Sequence, residues 1–296
     1  MPEKQESIAV IAGGGPFPIL VAKAAKDQGC RVVAVAHEGE TDPALADHVD
    51  DMVWIRLGQM GRLIRHLKQF GVEKALMAGT IAKPRMFGHV RPDLKGLTMM
   101  SRMAIFHDDG ILRAVSRELL KNDIHVVSST RFLPDLIASP GVLTRRRPTR
   151  EEMTDVRFGW GMAKELGRLD IGQCLVVRKK TVVAVEAMEG TDETIRRGGA
   201  IARQKAVVVK VSKPGQDLRF DVPSVGLETV RVMAEVRASV LAVEAGKTLL
   251  FDRNEMVPFA EREGISVISL EGDGIPAQEE KGEKMQNVDG NGDSIP

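Results

Sequence analysis

The chain has 296 residues, of which 43% are apolar and 28% charged, and its formal net charge is +1. This length and apolar content suit one large or two ordinary globular domains. The near-neutral charge and an aromatic content of 4%, with no tyrosine, argue against a nucleic-acid-binding surface, which needs clustered cations and stacking side chains. We therefore expect no nucleic-acid partner.

The cysteines and the N-terminus indicate a compartment. Cys30 and Cys174 lie far apart without metal-ligand spacing, so each is expected to be a small buried apolar side chain. The N-terminus lacks the charged-then-apolar order of a signal peptide. No apolar run approaches the roughly 18 residues needed to cross a bilayer. These features predict a cytoplasmic protein.

The first half of the chain alternates short apolar runs with segments of helical periodicity. The runs "IAVIAGGG" and "CRVVAVAHEG" predict buried strands, and "PFPILVAKAAKDQG" between them predicts a helix. The alternation continues through "GRLIRHLKQFG", "KALMAGTI", "DDGILRAVSRELLKND" and "IHVVSST". Because strands joined by helices form parallel sheets, we predict an α/β protein whose residues 1–132 form a Rossmann-like nucleotide- or substrate-binding domain.

The second half continues with strands and helices of its own. A linker over residues 133–147 leads to Thr149 and Glu152, whose spacing predicts a capping box at a helix start. Strand and helix patterns then alternate through "QCLVVRKKTVVAVEA", "TDETIRRGGAIARQ", "AVVVKVS", "LETVRVMAEVR" and "ISVISL". We predict a catalytic C-terminal α/β domain over residues 148–270, with the active site between the domains. Residues 271–296 are polar, so a disordered tail is expected.

A glycine run follows the first predicted strand. Gly13, Gly14 and Gly15 precede a helix, where a dinucleotide fold presents backbone N–H groups to phosphate. The GxGxxG fingerprint is incomplete, because Pro18 stands at its last glycine position. A phosphate or nucleotide site is predicted here, with a tight strand-to-helix turn as the structural alternative. Glu38, at the end of the second strand, leaves NAD binding open.

Polar residues also end the strand in "AGTIAKPR". Thr80, Lys83 and Arg85 follow its apolar part. Ligands of an open parallel sheet bind beyond the carboxyl ends of the strands, so this segment should lie beside the glycine turn and offer cations to an anion. A solvated basic loop is the alternative. Asp109, just before a predicted helix, is a candidate substrate contact or an N-cap.

Two segments of the second domain carry charge at strand ends. In "VEAMEGTDE", Glu186, Glu189 and Asp192 surround a Gly190-Thr191 break that opens a helix. An N-cap, an anion site and a metal site all fit this pattern.

The other segment is "KVSKPGQDLRFDVPSVG", residues 210–226. If the part from Asp217 to Asp221 is extended, both carboxylates share one side. Carboxylates beside cations suit phosphoryl transfer with Mg²⁺ on oxygen ligands. An exposed salt-bridged turn, worth ~0–1 kcal/mol, is the alternative.

Seven motifs, in order, carry a family resemblance. "IAGGGPFP", "AGTIAKPR", "PDLKGL", "DDGILRAV", "LDIGQCLVV", "VEAMEGTDETIRR" and the segment 210–226 together resemble the two-domain UDP-2,3-diacylglucosamine pyrophosphatases of bacterial lipid A biosynthesis, the type unrelated to metallophosphoesterases. The resemblance implies Mg²⁺-dependent hydrolysis to 2,3-diacylglucosamine 1-phosphate (lipid X) and UMP. It also implies peripheral contact with the inner membrane through the lipid substrate, and it suggests a homodimer.

The resemblance assigns roles to residues. It places the family's catalytic aspartate, in the C-terminal domain's D-x-P-x-x-G element, at Asp221, and Asp217 and Asp192 are the candidate metal ligands. The predicted substrate contacts are Gly13, Gly14, Gly15, Thr80, Lys83, Arg85, Asp109, Glu189, Gly190, Thr191, Lys210, Lys213, Gln216 and Arg219. Two other functions remain open: an NAD-dependent oxidoreductase, which would bind nicotinamide nucleotide, and a non-catalytic nucleotide-binding protein, which would retain substrate without turnover.

Overall fold

The computed structural model describes residues 5–81, 91–101 and 108–272, with only the backbone for Met100, Asp108 and Asp109. The chain divides into two compact units, Met1–Asp135 with Gln216–Val222, and Leu136–Gly215 with Pro223–Pro296. Of the predicted tail, residues 273–296 lie outside the described residues. In the described ranges no helix has both the length and the apolar character to span a membrane.

The first unit is built on a parallel sheet. Its strands are β1 Ser7–Ala12, β2 Arg31–His37, β3 Asp51–Ile55, β4 Lys74–Ala78 and β5 His125–Val126. Its helices are α1 Phe17–Asp27, α2 Met60–Gln69, α3 Leu94–Ser101 and α4 Asp108–Leu120, with a 3₁₀ helix at Pro43–His48. The five strands lie in the order β3-β2-β1-β4-β5, and all pairings are parallel. The predicted Rossmann-like parallel sheet is confirmed.

Burial explains which strands the sequence pattern revealed. β1 and β2 are apolar along almost their whole length, because strands covered on both faces bury every side chain. β3 was not predicted from the sequence. It lies at the edge of the sheet, and only Ile55 in it is buried, so its sequence lacks a continuous apolar run.

The second unit has a mixed sheet. Its strands are β6 Gly141–Val142, β7 Cys174–Arg178, β8 Thr181–Val185, β9 Val207–Lys210, β10 Ser224–Val225, β11 Val240–Glu244, β12 Leu249–Leu250 and β13 Ser266–Leu270. Its helices are α5 Arg150–Arg168, α6 Thr191–Ala202, α7 Leu227–Glu235 and α8 Arg253–Arg262. Six strands follow the order β6-β13-β11-β9-β7-β8, while β10 and β12 form a separate parallel pair. The predicted α/β character of this half is confirmed.

In this unit one local signal, the capping box, works as its sequence predicts, and a lysine pair forms a hairpin turn. The Thr149 hydroxyl accepts from the Glu152 N–H at 3.2 Å, and the Glu152 carboxylate accepts from the Thr149 N–H at 2.8 Å, which forms the capping box. Lys179 and Lys180 turn β7 into β8 with φ of 50° and 56°. The buried Asp155 carboxylate accepts both of their N–H groups and thereby supports a turn that usually favours Asn-Gly.

A short part of the second half belongs to the first unit. The chain leaves the second unit after Gly215 and returns to it at Pro223, and we name Gln216–Val222 the crossing segment. Phe220 in this segment is 8% exposed and belongs to the apolar cluster that contains Leu119 and Met60. Asp221 lies by sequence in the predicted C-terminal domain, whereas in space the crossing segment that contains it groups with the first unit, because Phe220 is buried in the core of that unit.

Candidate active site

The glycine turn lies where β1 and β4, neighbours in the first sheet, both end. Gly13 N–H donates to Ala78 O at 2.8 Å, Gly14 N–H donates to Thr80 O at 2.7 Å, and Thr80 N–H returns a bond to Gly14 O at 3.0 Å. The two chains approach so closely that a Cβ on Gly79 would lie 2.4 Å from Gly14 O. Glycine is needed here for close packing of backbone on backbone.

These bonds change the predicted role of the turn. The N–H groups of Gly13 and Gly14 are already bound to backbone carbonyls, so they do not present themselves to a phosphate as expected. Thr80 lies beside them, as the strand order predicts. Glu38, the candidate ribose ligand, forms an exposed ion pair with Arg56 at 2.9 Å. The turn therefore resembles the tight structural alternative more than a dinucleotide cradle.

Sequence reasoning missed His37, the last residue of β2. Its Nδ1 lies 2.9 Å from Ala12 O, and the Thr41 hydroxyl donates to the same carbonyl at 2.7 Å. Burial lowers the pKa of His37, which favours a neutral ring that donates from Nδ1 to this carbonyl. Its position at the carboxyl end of a central strand was the signal that could have revealed it.

Three predicted site residues of the first unit are not described. Lys83 and Arg85 lie outside the described residues, and of Asp109 only the backbone is described, at the start of α4. Their roles stay predictions.

The crossing segment forms a turn rather than an extended strand. The N–H groups of Phe220 and Asp221 both donate to Asp217 O, at 3.3 and 3.2 Å. The expectation that Asp217 and Asp221 share one side of an extended chain is therefore wrong. The Gln216 side-chain amide donates to Asp221 Oδ2 at 2.7 Å, which orients the Asp221 carboxylate.

Arg219 binds the other carboxylate of this segment, that of Asp217. Its guanidinium donates to both oxygens of Asp217, at 2.9 and 2.6 Å. These hydrogen bonds lower the pKa of Asp217 although burial opposes the shift, and the charge of Arg113 acts in the same direction. Arg219 also lies 5.6 Å from the centre of the Phe220 ring. The ion pair between Arg219 and Asp217 stabilises the turn that contains Asp221.

A second polar cluster lies wholly within the second unit. The Lys210 side chain is buried, and its Nζ donates to Ser224 O at 2.7 Å and to the Thr191 hydroxyl at 2.9 Å. Thr191 in turn donates to Glu186 Oε1 at 2.8 Å, while Glu186 Oε2 is buried without a hydrogen-bond partner in the described part of the chain. The structure thus brings together Thr191 and Lys210 from the predicted contacts, and it adds Glu186.

Asp192 borders this cluster at the start of α6. Burial raises the pKa of Asp192, and the positive charges of Lys210 and Arg196 only partly oppose that effect. Its role as a metal ligand stays a prediction.

The other predicted contacts of this unit have local partners. Glu189 accepts from Arg197, from the Thr194 hydroxyl and from the Ala187 N–H, so it stabilises the start of α6. Gly190 is the N-cap of that helix, with φ of 86°. Lys213 forms a half-buried ion pair with Asp170.

Comparison with known proteins identifies the family. One family model, described as the LpxI N-terminal domain, matches residues 7–136, and another, described as the LpxI C-terminal domain, matches residues 139–268. The chain belongs to the LpxI family. The resemblance seen in its motifs is thereby confirmed. A relative from Caulobacter vibrioides, named UDP-2,3-diacylglucosamine pyrophosphatase LpxI, is 30% identical over 275 residues, which cover 89% of this chain and 97% of the relative.

Likeness to solved structures is much weaker. CobK precorrin-6A reductase matches over 90% of this chain and 88% of its own length, at 12% identity and a TM-score of 0.33. Biotin carboxylase from Campylobacter jejuni is 9% identical with a TM-score of 0.29, and the match covers 67% of this chain and 42% of that protein. Values this low carry no argument about function.

The LpxI domain boundaries sharpen the finding about Asp221. By sequence, Asp221 lies inside the match to the LpxI C-terminal domain. In space it belongs to the first unit together with Phe220. This LpxI chain therefore builds the surroundings of Asp221 from both halves of its sequence.

Mg²⁺ can be tested against the residues present. No group of three or more His, Cys, Asp or Glu side chains in the described part of the chain could hold a metal ion. Mg²⁺ does not require such a group, since it commonly binds through one or two carboxylates together with substrate phosphates and water. Asp221 fits this mode, whereas Arg219 already occupies both oxygens of Asp217.

Proposed function

We propose that this chain is a UDP-2,3-diacylglucosamine pyrophosphatase of lipid A biosynthesis, which hydrolyses its substrate with Mg²⁺ to 2,3-diacylglucosamine 1-phosphate and UMP. The observation that carries the proposal is the match to LpxI over both domains, together with a relative of that name that aligns over 97% of its length. The oriented Asp221 carboxylate supports it with suitable chemistry.

In this proposal Asp221 is the catalytic carboxylate. The Gln216 amide holds Asp221 Oδ2, so the carboxylate has a defined orientation before substrate arrives. Asp221 would hold Mg²⁺ together with the substrate phosphates. Mg²⁺, when bound, supplies positive charge that stabilises the transition state of phosphoryl transfer. Asp217 and Arg219 would brace the turn rather than bind the metal.

Among the described residues of the glycine turn and β2, no contact supports the alternative of an NAD-dependent oxidoreductase. The amides of Gly13 and Gly14 are bound to backbone, and Glu38 is bound to Arg56.

Cytoplasmic location, peripheral contact through the acyl chains of the substrate, and a homodimer belong to the same proposal. Co-sedimentation with vesicles that contain or lack the substrate would test the membrane contact, and size-exclusion chromatography with light scattering would test the dimer.

The deciding experiment is product analysis with purified protein. We expect UDP-2,3-diacylglucosamine to be converted to lipid X and UMP, with the reaction abolished by chelator and restored by Mg²⁺. Asp221→Asn should lower kcat by about 10²–10⁴-fold, because it removes the charge and keeps the shape. Asp47→Asn, at an exposed aspartate of the same unit, should leave kcat unchanged. Full turnover by folded Asp221→Asn would refute the assignment.

A further inference from the structure

We propose that Lys164 and Lys210 are positioning residues that fix the chain at Ser212 and Ser224, on either side of the crossing segment, and thereby limit where the catalytic Asp221 can lie. The two lysines come from different elements, α5 and β9. Each donates from its ammonium group to a backbone carbonyl beside the crossing segment, one before it and one after it. The proposal depends on the proposed function only for its activity measurement.

Before the crossing segment, the chain is held at Ser212. Lys164 Nζ donates to Ser212 O at 2.9 Å, and the Glu244 carboxylate accepts from the Ser212 N–H at 2.8 Å. Lys164 and Glu244 are themselves joined at 2.6 Å. Ser212 is 3% exposed and the Glu244 side chain 4% exposed. An ion pair between a buried glutamate and a half-buried lysine therefore binds both polar groups of the Ser212 main chain.

Glu244 stays charged in this arrangement. Burial alone would raise the pKa of Glu244, but hydrogen bonds from Lys164, Lys247 and the Ser212 N–H bring it below its ordinary value. The ion pair is therefore intact at neutral pH.

After the crossing segment, the chain is held at Ser224. Lys210 is 6% exposed, and its Nζ donates to Ser224 O at 2.7 Å. The Thr191 hydroxyl accepts a second hydrogen bond from Lys210 and donates one to Glu186 Oε1. Because Ser224 follows Asp221 closely in the chain, this bond limits where the returning chain can lie.

The contacts favour a positioning role over direct phosphate binding. A buried ammonium needs good hydrogen-bond partners, and it is costly to remove one of them. Lys210 meets this need within the protein, through a carbonyl and a hydroxyl. A shift of about 1 Å in a catalytic group can cost ~10²-fold in rate. Fixing the backbone at both ends is thus a direct way to protect the rate.

The test replaces each lysine by Met, which keeps most of the length of the side chain and removes its charge. For Lys164→Met and Lys210→Met we expect kcat for UDP-2,3-diacylglucosamine to fall about 10- to 100-fold with KM changed less than about twofold. Chymotrypsin cleavage within residues 211–226, located by mass spectrometry, should become about tenfold faster, because the segment opens locally more often.

Lys247→Met is the matched control. Lys247 also donates to Glu244, at 2.9 Å, but to the other carboxylate oxygen and not to the Ser212 main chain. This variant should keep both kcat and the cleavage rate of the parent protein. An equal loss in Lys247→Met would show that the charge balance of Glu244 matters and the positioning bond does not.

Three results would overturn the proposal. A large rise in KM for Lys210→Met without faster cleavage would make Lys210 a substrate contact, as first predicted. Unaltered cleavage in both variants would show that neither lysine holds the segment. If the variants do not fold, hydrogen exchange in the parent protein decides: the Ser212 amide should exchange at least ~10²-fold more slowly than an unstructured peptide, and unprotected exchange refutes the clamp. Cleavage and exchange need no substrate, so they also stand if the proposed activity fails.

Discussion

At the scale of single residues, the same residue type serves different purposes at neighbouring positions. Asp217 is bound at both oxygens by Arg219, whereas Asp221 receives the neutral amide of Gln216. A carboxylate whose two oxygens both accept from a guanidinium has little left to offer a cation. The difference could not be predicted from spacing, because it depends on the turn that the segment adopts.

Gly79 offers a test of close backbone packing. Its φ is 90°, and an added Cβ would lie 2.4 Å from Gly14 O and 2.9 Å from Gly13 C. We expect Gly79→Ala to lower the free energy of unfolding by about 2–4 kcal/mol, since left-handed backbone strain and a clash with rigid main chain add together. The urea unfolding midpoint would measure the loss.

Gly71→Ala separates the two causes. Gly71 has φ of 70°, but no atom lies within 4 Å of an added Cβ. This variant should lose only about 1–2 kcal/mol, from the backbone strain alone. Equal losses at the two positions would mean that the glycine turn and the end of β4 are not packed as described.

At the scale of elements, the crossing segment is the part whose place in space does not follow from its place in the sequence. It follows β9 and precedes β10, both of the second unit, whereas the segment itself groups with the first unit in space. The available signal was composition: Leu218 and Phe220 are apolar residues among charged ones in "QDLRFDV". A large aromatic side chain in a charged loop needs a place to be buried, and the core of the first unit supplies it.

Phe220 should therefore contribute to the stability of the first unit. We expect Phe220→Ala to lower the free energy of unfolding by about 3–5 kcal/mol, because a buried aromatic ring is lost from an apolar cluster. Phe220→Leu, which fills much of the space, should cost less than about 1.5 kcal/mol. Denaturant unfolding followed by tryptophan fluorescence and circular dichroism would measure both. Parent-like stability of Phe220→Ala would show that the ring is not part of this core.

At the scale of the whole molecule, the fold was more predictable than the site. The strand and helix order follows from buried apolar runs, which a covered parallel sheet requires. The site depends on which side chains meet, and that is decided by contacts distant in sequence, such as Lys164 with Glu244. Asp221 is proposed as the catalytic carboxylate from family motifs, and no spacing rule would have chosen it over Asp217. Glu244 and Lys164 were missed, since each looks like an ordinary charged residue of a strand end or a helix.

Buried ion pairs also make the stability of the whole molecule depend on pH. Burial would raise the pKa of Glu152 and Glu244, but Arg146 and the Thr149 N–H in one case, and two lysines and the Ser212 N–H in the other, bring both pKa values below the ordinary 4.5. A carboxylate with a lowered pKa in the folded state stabilises it above the unfolded pKa, and that contribution is lost as pH falls through the folded value. Asp192, whose pKa burial raises above 3.8, acts in the opposite direction and favours folding as it takes up its proton.

We expect the two ion-paired carboxylates, Glu152 and Glu244, to outweigh Asp192 in the pH dependence of stability. The urea unfolding midpoint should then be steady near pH 6 and fall steeply below about pH 4.5. Glu244→Gln should be less stable than the parent at pH 6, because it leaves the half-buried Lys164 without its counter-charge. Its midpoint should fall less between pH 5 and pH 3.5, because one carboxylate that must be protonated is gone. Glu263→Gln, at an exposed glutamate, should follow the parent curve. An unchanged acid slope in Glu244→Gln would mean that this ion pair does not link folding to pH.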